Sequence, residues 1–246
     1  MKLTIVGSGT ILPDPDRGPC ALLIEAAGLR VLVDGGSGTL RTLTKLGHDP
    51  RELDAQVLSH RHLDHAGELP SLLFLHKVAR RRRPFPIFGG GGLTTLIERI
   101  EAAFGELTAD YGAPVTELSL RGPDGVALAP GLRLSTAPAV HKHGALHLAF
   151  EADGHRVVFS GDTGPSSALT QLCRGADLLV TECAYATPGE DHLCAAEIAA
   201  MVAEARPARV VLTHLYPDVD ESTALATIAA TGVRVERGFD GWSWEG

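Results

Sequence analysis

Ser59-His60-Arg61-His62-Leu63-Asp64-His65 follows directly on the short apolar run Ala55 to Leu58. His60, His62, Asp64 and His65 cannot share one helix face, where neighbours stand three or four residues apart. A loop leaving a strand can fan them instead, turning His60 and His62 toward one cation and Asp64 and His65 toward a second. Each ion then receives imidazole nitrogen or carboxylate oxygen, and zinc accepts both. The stretch reads as a metal-binding loop for two ions; the competing reading is a polar loop with incidental histidines.

Outward from this loop, strand-like runs alternate with helical ones. Leu3 to Val6, Ala21 to Glu25 and Leu29 to Val33 read as strands, and Thr39 to Leu46 as a helix. Beyond the loop, Leu69 to Arg83 reads as a helix, Pro86 to Phe88 as a strand, and Leu93 to Phe104 as an amphipathic helix after the glycine run Gly89 to Gly92. The second half repeats the theme. Val115 to Leu120, Val126 to Leu128, Leu132 to Ala137, Ala145 to Ala152, Arg156 to Ser160 and Asp177 to Glu182 read as strands, Ala195 to Ala205 and Thr223 to Thr231 as helices. A mixed α/β architecture follows. The chain shows no short-period repeat and no long linker, so one domain over residues 1–246 is expected.

The 246 residues are 44% hydrophobic, enough for a substantial core. Met1-Lys2-Leu3-Thr4-Ile5-Val6 turns polar and glycine-rich at once and lacks the apolar region of a secretory signal, and no apolar stretch reaches spanning length. Cys20, Cys173, Cys183 and Cys194 lack both C-x-x-C spacing and small-scaffold density, so a reducing cytoplasm is the expected location, with no membrane partner. The formal charge of −8 argues against a broad grip on extended nucleic acid. The run Arg80-Arg81-Arg82-Arg83 reads as a solvated helix end whose cations complement the dipole, with Pro84 as the stop, or as a phosphate-contacting patch. His48, His76 and His155 have no second ligand nearby and read as surface residues; His143 and His147 read as strand or loop residues.

Three further candidates share one placement. Leu132 to Thr136 leads to His141, Arg156 to Ser160 to Asp162, and Arg209 to Leu212 to His214, each just past an apolar strand. Side chains at strand exits can converge on one edge of a sheet. Taken singly, Asp162 could be a turn aspartate and His214 a core histidine; their order and spacing as a set favour ligands.

The motif H-x-H-x-D-H is matched from His60 through His65. With Ile5-Val6-Gly7-Ser8-Gly9-Thr10, Asp34-Gly35-Gly36-Ser37-Gly38-Thr39 and Ala66-Gly67-Glu68-Leu69-Pro70, it resembles the metallo-β-lactamase superfamily, and within it ribonuclease Z and related small phosphodiesterases. The resemblance implies a four-layer αββα sandwich of two mixed sheets flanked by helices. It implies His60, His62 and His141 as ligands of one divalent ion, Asp64, His65 and His214 of the other, and Asp162 bridging both. Zinc is the first expectation, with manganese or iron compatible with the same ligands. Asp34 occupies the place of a carboxylate that fixes a ligand histidine's tautomer, although an Asp-Gly turn would use it too. Glu182 and His192 match a carboxylate-supported histidine beside the scissile phosphate, which would make His192 a general acid; the alternative is an exposed His192 beside a capping Asp191.

The chemistry so implied is phosphodiester hydrolysis. Two cations bridged by a solvent oxygen would lower its pKa to about 7, giving a hydroxide that Asp64 helps to orient while His192 protonates the leaving oxygen and Thr163 bonds the phosphate. Ribonuclease Z carries a protruding glycine-, proline- and base-rich arm that holds tRNA, and no long insertion of that kind lies between Gly105 and Pro130. A small phosphodiester, a cyclic nucleotide or a short oligonucleotide, is therefore the expected substrate. Thioester or lactone hydrolysis is the alternative, since the same ions can act on a carbonyl. Relatives of this kind often form dimers, so a homodimer is compatible.

Overall fold

The computed structural model describes residues 1–118, 125–142 and 144–246. Its first half runs β1 (Lys2–Gly7), β2 (Ala21–Ala26), β3 (Leu29–Asp34), α1 (Thr39–Lys45), β4 (Ala55–Leu58), α2 (Leu63–Ala66), α3 (Leu69–Val78), β5 (Ile87–Gly89), α4 (Leu93–Phe104) and β6 (Val115–Glu117). The second half runs β7 (Val126–Ala129), β8 (Leu132–Pro138), β9 (Leu146–Ala152), β10 (His155–Phe159), α5 (Ser167–Leu172), β11 (Leu178–Glu182), α6 (Ala195–Ala205), β12 (Arg209–Thr213), α7 (Glu221–Ala229), β13 (Arg234–Arg237) and β14 (Ser243–Glu245). The expected end of the sixth strand, at Leu120, and His143 lie outside the described residues.

Among the described residues the strands form two seven-stranded sheets, β14-β1-β2-β3-β4-β5-β6 and β13-β12-β11-β10-β9-β8-β7. Each mixes an antiparallel part with a parallel one: β3 to β6 run parallel in the first, β10 to β13 in the second. Side-chain alternation along the strands dictates the layering. Leu22, Ile24, Val31 and Val33 enter a layer shared with Leu146, Leu148, Phe150 and Val157 of the second sheet. Their neighbours Leu23 and Leu32 turn the other way, packing with Leu43, Leu69, Leu72 and Leu73 beneath the first-half helices. On the far side Val158, Leu179, Val210 and Leu212 pack with Ile198, Val202 and Ile228. Two sheets face to face with helices outside is the expected four-layer αββα sandwich. No helix among the described residues is long and apolar enough to cross a membrane.

Four local readings are corrected. Helix α3 ends at Val78 rather than Arg83, because Arg80 adopts a left-handed φ of 53° and turns the chain inward. Arg81 is consequently buried, donating to the carbonyls of Leu53, Arg83 and Pro84 at 2.9, 2.8 and 3.2 Å. The basic run is thus not a uniformly solvated helix end. His76 is a core residue, not a surface one: its Nε2 lies 3.3 Å from the Pro50 carbonyl and its ring 4.5 Å from that of Phe85, and burial lowers its pKa to about 4. Helix α7 begins at Glu221, ahead of the expected Thr223, because the Asp220 side chain accepts from the Thr223 amide at 2.7 Å. The edge strands β13 and β14, short and rich in charge, were not among the expected elements.

Candidate metal centre

The candidate residues gather at the carboxyl ends of the parallel strands. Asp34 ends β3, Ser59 and His60 follow β4, Asp162 follows β10, Glu182 ends β11 and His214 follows β12, while His141 leaves β8. The sheets are tied together at this edge: the Leu146 amide donates to the Ser59 carbonyl and the His214 amide to the Ser8 carbonyl, both at 2.9 Å. Within the motif, His60 and His62 stand on the loop, whereas Asp64 and His65 ride on the single turn α2. That turn lies against Gly36, where a Cβ would fall 2.3 Å from the Asp64 carbonyl oxygen, so no larger residue fits.

The first group comprises His60, His62, His141 and Asp162. His62 Nδ1 lies 3.0 Å from His60 Nε2 and 3.2 Å from His141 Nε2. The other ring nitrogens fix the tautomers. His141 Nδ1–H donates to the Asp191 carbonyl at 2.9 Å. The Ser59 hydroxyl spends its hydrogen on Asp34 Oδ2 at 2.7 Å, so at 3.1 Å it accepts from His60 Nδ1–H. The facing nitrogens of His60 and His141 therefore carry lone pairs directed at a common point, an arrangement that a cation relieves. A tetrahedral ion with bonds of 2.0–2.1 Å places its nitrogen ligands about 3.3 Å apart, which these separations approach. Asp162 Oδ2 completes the group, 3.6 Å from His60 Nε2 and 4.0 Å from His141 Nε2.

The second group uses the other oxygen of the same carboxylate. Asp162 Oδ1 lies 3.2 Å from His65 Nε2 and 3.8 Å from His214 Nε2, and Asp64 Oδ2 lies 3.3 Å from His214 Nε2 and 3.9 Å from His65 Nε2. His65 Nε2 is buried without a hydrogen-bond partner, as an atom reserved for a ligand would be. Its Nδ1–H donates to Asp34 Oδ2 at 2.7 Å, and Asp34 Oδ1 also accepts from the Ser59 amide at 2.7 Å. Asp34 holds this position at a left-handed φ of 57°, fully buried. Both groups thus fit divalent cations in donor type, and His60, His65 and His141 in tautomer as well, with Asp162 facing both.

The electrostatics agree. Burial opposes ionisation of Asp162, but the His214 and His65 imidazoles outweigh it and hold the carboxyl well below its ordinary range. Burial likewise opposes charge on His65 and His214, and Asp162, helped by Asp34 at His65 and by Asp64 at His214, raises both. Burial and the neighbouring imidazole of His65 lower His60. Cys20 also lies within reach of His65 and Asp34, but burial pushes its thiol up to about 12 and keeps it neutral.

His192 stands against both groups. Its Nδ1–H donates to Glu182 Oε2 at 2.9 Å, and its ring lies 5.0 Å from that of His141 and 5.9 Å from that of His214. It is nearly buried rather than exposed. Burial and the Asp162 carboxylate push Glu182 up, against the Thr163 and Leu193 amides that favour its charged form. The loop bearing His192 reaches the Asp162 loop because Gly164 lets it: a Cβ there would lie 2.0 Å from the Glu190 carbonyl oxygen. Thr163 does not face a substrate. Its hydroxyl is buried, donates to the Gly164 carbonyl at 2.7 Å and accepts from the Val140 amide at 3.0 Å. His147 lies apart from the groups, bonded to the Ser160 carbonyl at 2.6 Å and Ser166 Oγ at 3.0 Å. Sequence reading passed over Tyr185 and Tyr216, whose rings lie 4.9 and 6.4 Å from that of His192; each stands two or three residues past a site residue, the one signal available.

Residues 29–215 match the family model described as a beta-lactamase superfamily domain. The chain is 31% identical to ribonuclease Z of Mycobacterium bovis, over 98% of this chain and 96% of that relative. The metallo-beta-lactamase fold protein YhfI from Bacillus subtilis superposes with a TM-score of 0.87 at 22% identity, over 100% of this chain and 99% of the other. The short form of human tRNase Z superposes with a TM-score of 0.79 at 21% identity, over 100% and 99%. With its fold, its motif and these likenesses, the chain belongs to the metallo-β-lactamase superfamily of metal-dependent hydrolases.

Proposed function

We propose that the chain, acting as one domain over residues 1–246, hydrolyses a small phosphodiester such as a cyclic nucleotide or a short oligonucleotide. Two divalent cations, zinc in the first instance and manganese or iron by the same donor chemistry, would be held by His60, His62 and His141 and by Asp64, His65 and His214, with Asp162 shared. When bound, they supply positive charge that neutralises phosphoryl oxygens and acidifies water. Asp64, with Oδ2 turned into the second group, orients the attacking water. His192 serves as the acid: Glu182 accepts from Nδ1–H and orients the ring, so that Nε2 delivers its proton to the leaving alkoxide.

The observation that carries this reading is the His192–Glu182 pair standing against both ligand groups. An alkoxide needs a proton to leave, whereas the thiolate of a thioester leaves without one, so a supported acid favours the diester over the thioester alternative. The test is a hydrolysis panel on metal-quantified protein: bis(p-nitrophenyl) phosphate, cyclic AMP and a glutathione thioester. Diester turnover is expected, and Asp162→Ala should lose an ion and nearly all of it; turnover of the thioester alone overturns the assignment. A homodimer belongs to the same proposal. Phe74 and Val78 are exposed one turn apart on α3, and Phe104 is exposed near Glu106, whose carbonyl bonds Lys77. Mass measured against concentration tests it.

A further inference from the structure

Eight large hydrophobic side chains are exposed among the described residues. Scattered singly on a surface, such residues need no explanation, but two of them flank candidate ligands and two more stand on the loop after β1. Leu63, 74% exposed, stands between His62 and Asp64, and Val140, 45% exposed, directly precedes His141. Ile11 and Leu12 follow β1, and Leu12 lines a small cavity with Leu215 and Pro217 on either side of Tyr216.

The half-buried ring of Tyr216 lies 5.8 Å from that of His214 and 6.4 Å from that of His192. It therefore borders both the second ligand group and the proton donor. The ring of Tyr185 also lies against that of His192, at 4.9 Å, its hydroxyl donating to Asp191 Oδ1 at 3.3 Å. Of the cations on these loops, Arg61 donates to the Gly92 carbonyl at 3.2 Å and Arg17 lies 3.7 Å from Asp14, while Lys142, next to His141, is exposed. A polyanionic backbone is gripped by many lysines and arginines, whereas this rim sets rings and methyl groups beside the exposed Lys142. Such a rim accommodates a planar, uncharged group, because aromatic faces stack on rings and shed water from both surfaces.

We infer that Tyr216, with Leu63 and Val140, receives a planar aromatic alcohol portion of the diester, a nucleobase-bearing or aryl group, and so determines specificity. This rests on the phosphodiesterase reading. Tyr216 acts through its ring, on the part of the substrate that does not react. Its loss weakens binding in ground and transition states alike, which raises KM and leaves kcat in place.

The experiment compares bis(p-nitrophenyl) phosphate with methyl p-nitrophenyl phosphate on metal-quantified enzyme. Both release p-nitrophenolate and differ only in the retained group. Tyr216→Ala should raise KM for the bis-aryl diester about tenfold, with kcat and the KM for the methyl diester within about twofold. Tyr216→Phe, which keeps the ring, should match wild type on both, and the exposed Leu63→Ser should shift KM in the same direction by a smaller factor. Equal losses on both diesters, or none on either, would overturn the inference while leaving the phosphodiesterase reading intact. Failure of the wild type to turn over either diester would overturn both.

Discussion

Asp240 holds Ser8 by two bonds to one oxygen: the Ser8 amide and the Ser8 hydroxyl both donate to Asp240 Oδ1 at 2.8 Å, while the Gly18 amide donates to Oδ2 at 2.8 Å. A residue near the carboxyl terminus thereby clasps both ends of the loop from Ser8 to Gly18. Ser8 passes the constraint on, because its carbonyl accepts the amide of His214, which is held at a left-handed φ of 54°. Asp240→Ala strands three donors and should cost about 2–4 kcal/mol in chemical unfolding, since bonds to a charged group are worth about 1.5–3 kcal/mol each and part of the site is solvated. It should also weaken one step of a two-step metal titration about tenfold through His214. Unchanged affinity in both steps would show that Asp240 stabilises the loop without positioning the ligand.

Asp34 offers a cleaner substitution. Its carboxylate accepts from the Ser59 amide, the Ser59 hydroxyl and His65 Nδ1. Asparagine tolerates the left-handed backbone that Asp34 adopts, so Asp34→Asn alters the hydrogen bonding without adding backbone strain. An amide group facing His65 Nδ1–H would set donor against donor and disfavour the tautomer whose lone pair lies on Nε2. Metal affinity in a chelator competition should fall about 10- to 100-fold. Retained affinity would mean that Asp34 serves the turn alone.

The gathering of the candidate ligands was legible because they follow rules of local sequence: a dense histidine loop after an apolar strand, then His141, Asp162 and His214 each just past another. The same logic had the means to place His76. Leu69, Leu72, Leu73 and His76 are the buried residues of α3 and follow helical spacing, so His76 falls on the apolar stripe. Other residues depended on long-range packing. Arg81 turns inward because Arg80 takes a left-handed conformation that nothing in a run of four arginines signals. Thr163 spends its hydroxyl on backbone groups 23 residues away and next door. Tyr216 and Asp240 gain meaning only once two sheets bring distant loops to one edge. β13 and β14 lack apolar alternation because they are short edge strands, paired on one side only.

Metal loading should release protons. With burial overcome by Asp162 and its carboxylate neighbours, His65 and His214 are raised above the ordinary 6.5, so in the metal-free centre they hold protons to higher pH than a free imidazole does. A cation that takes their lone pairs must displace those protons. Calorimetric titration of zinc into metal-free protein at pH 7, repeated in buffers of different ionisation enthalpy, should therefore report net proton release, and affinity should weaken as pH falls. Binding without proton release would contradict the assigned charge state.

His147 should make stability fall in acid. Burial lowers its pKa from 6.5 to about 4, and its two ring nitrogens bond the Ser160 carbonyl and Ser166 Oγ. The folded value lies below the unfolded one, so between about pH 4 and 6.5 the unfolded chain binds a proton that the native chain refuses. The contribution is complete above about pH 6.5 and is lost as pH falls toward 4. From pH 7 to pH 5 that loss is about 2 kcal/mol. His76, lowered to about 4 by burial, adds a loss of the same sign. The raised histidines of the centre contribute oppositely, but they do so equally in a protein altered only at position 147. Urea unfolding of metal-free wild type and His147→Gln at both pH values isolates the term: the variant, less stable at pH 7, should lose about 2 kcal/mol less on acidification, and parallel losses in the two proteins would show that His147 takes up its proton without unfolding the chain.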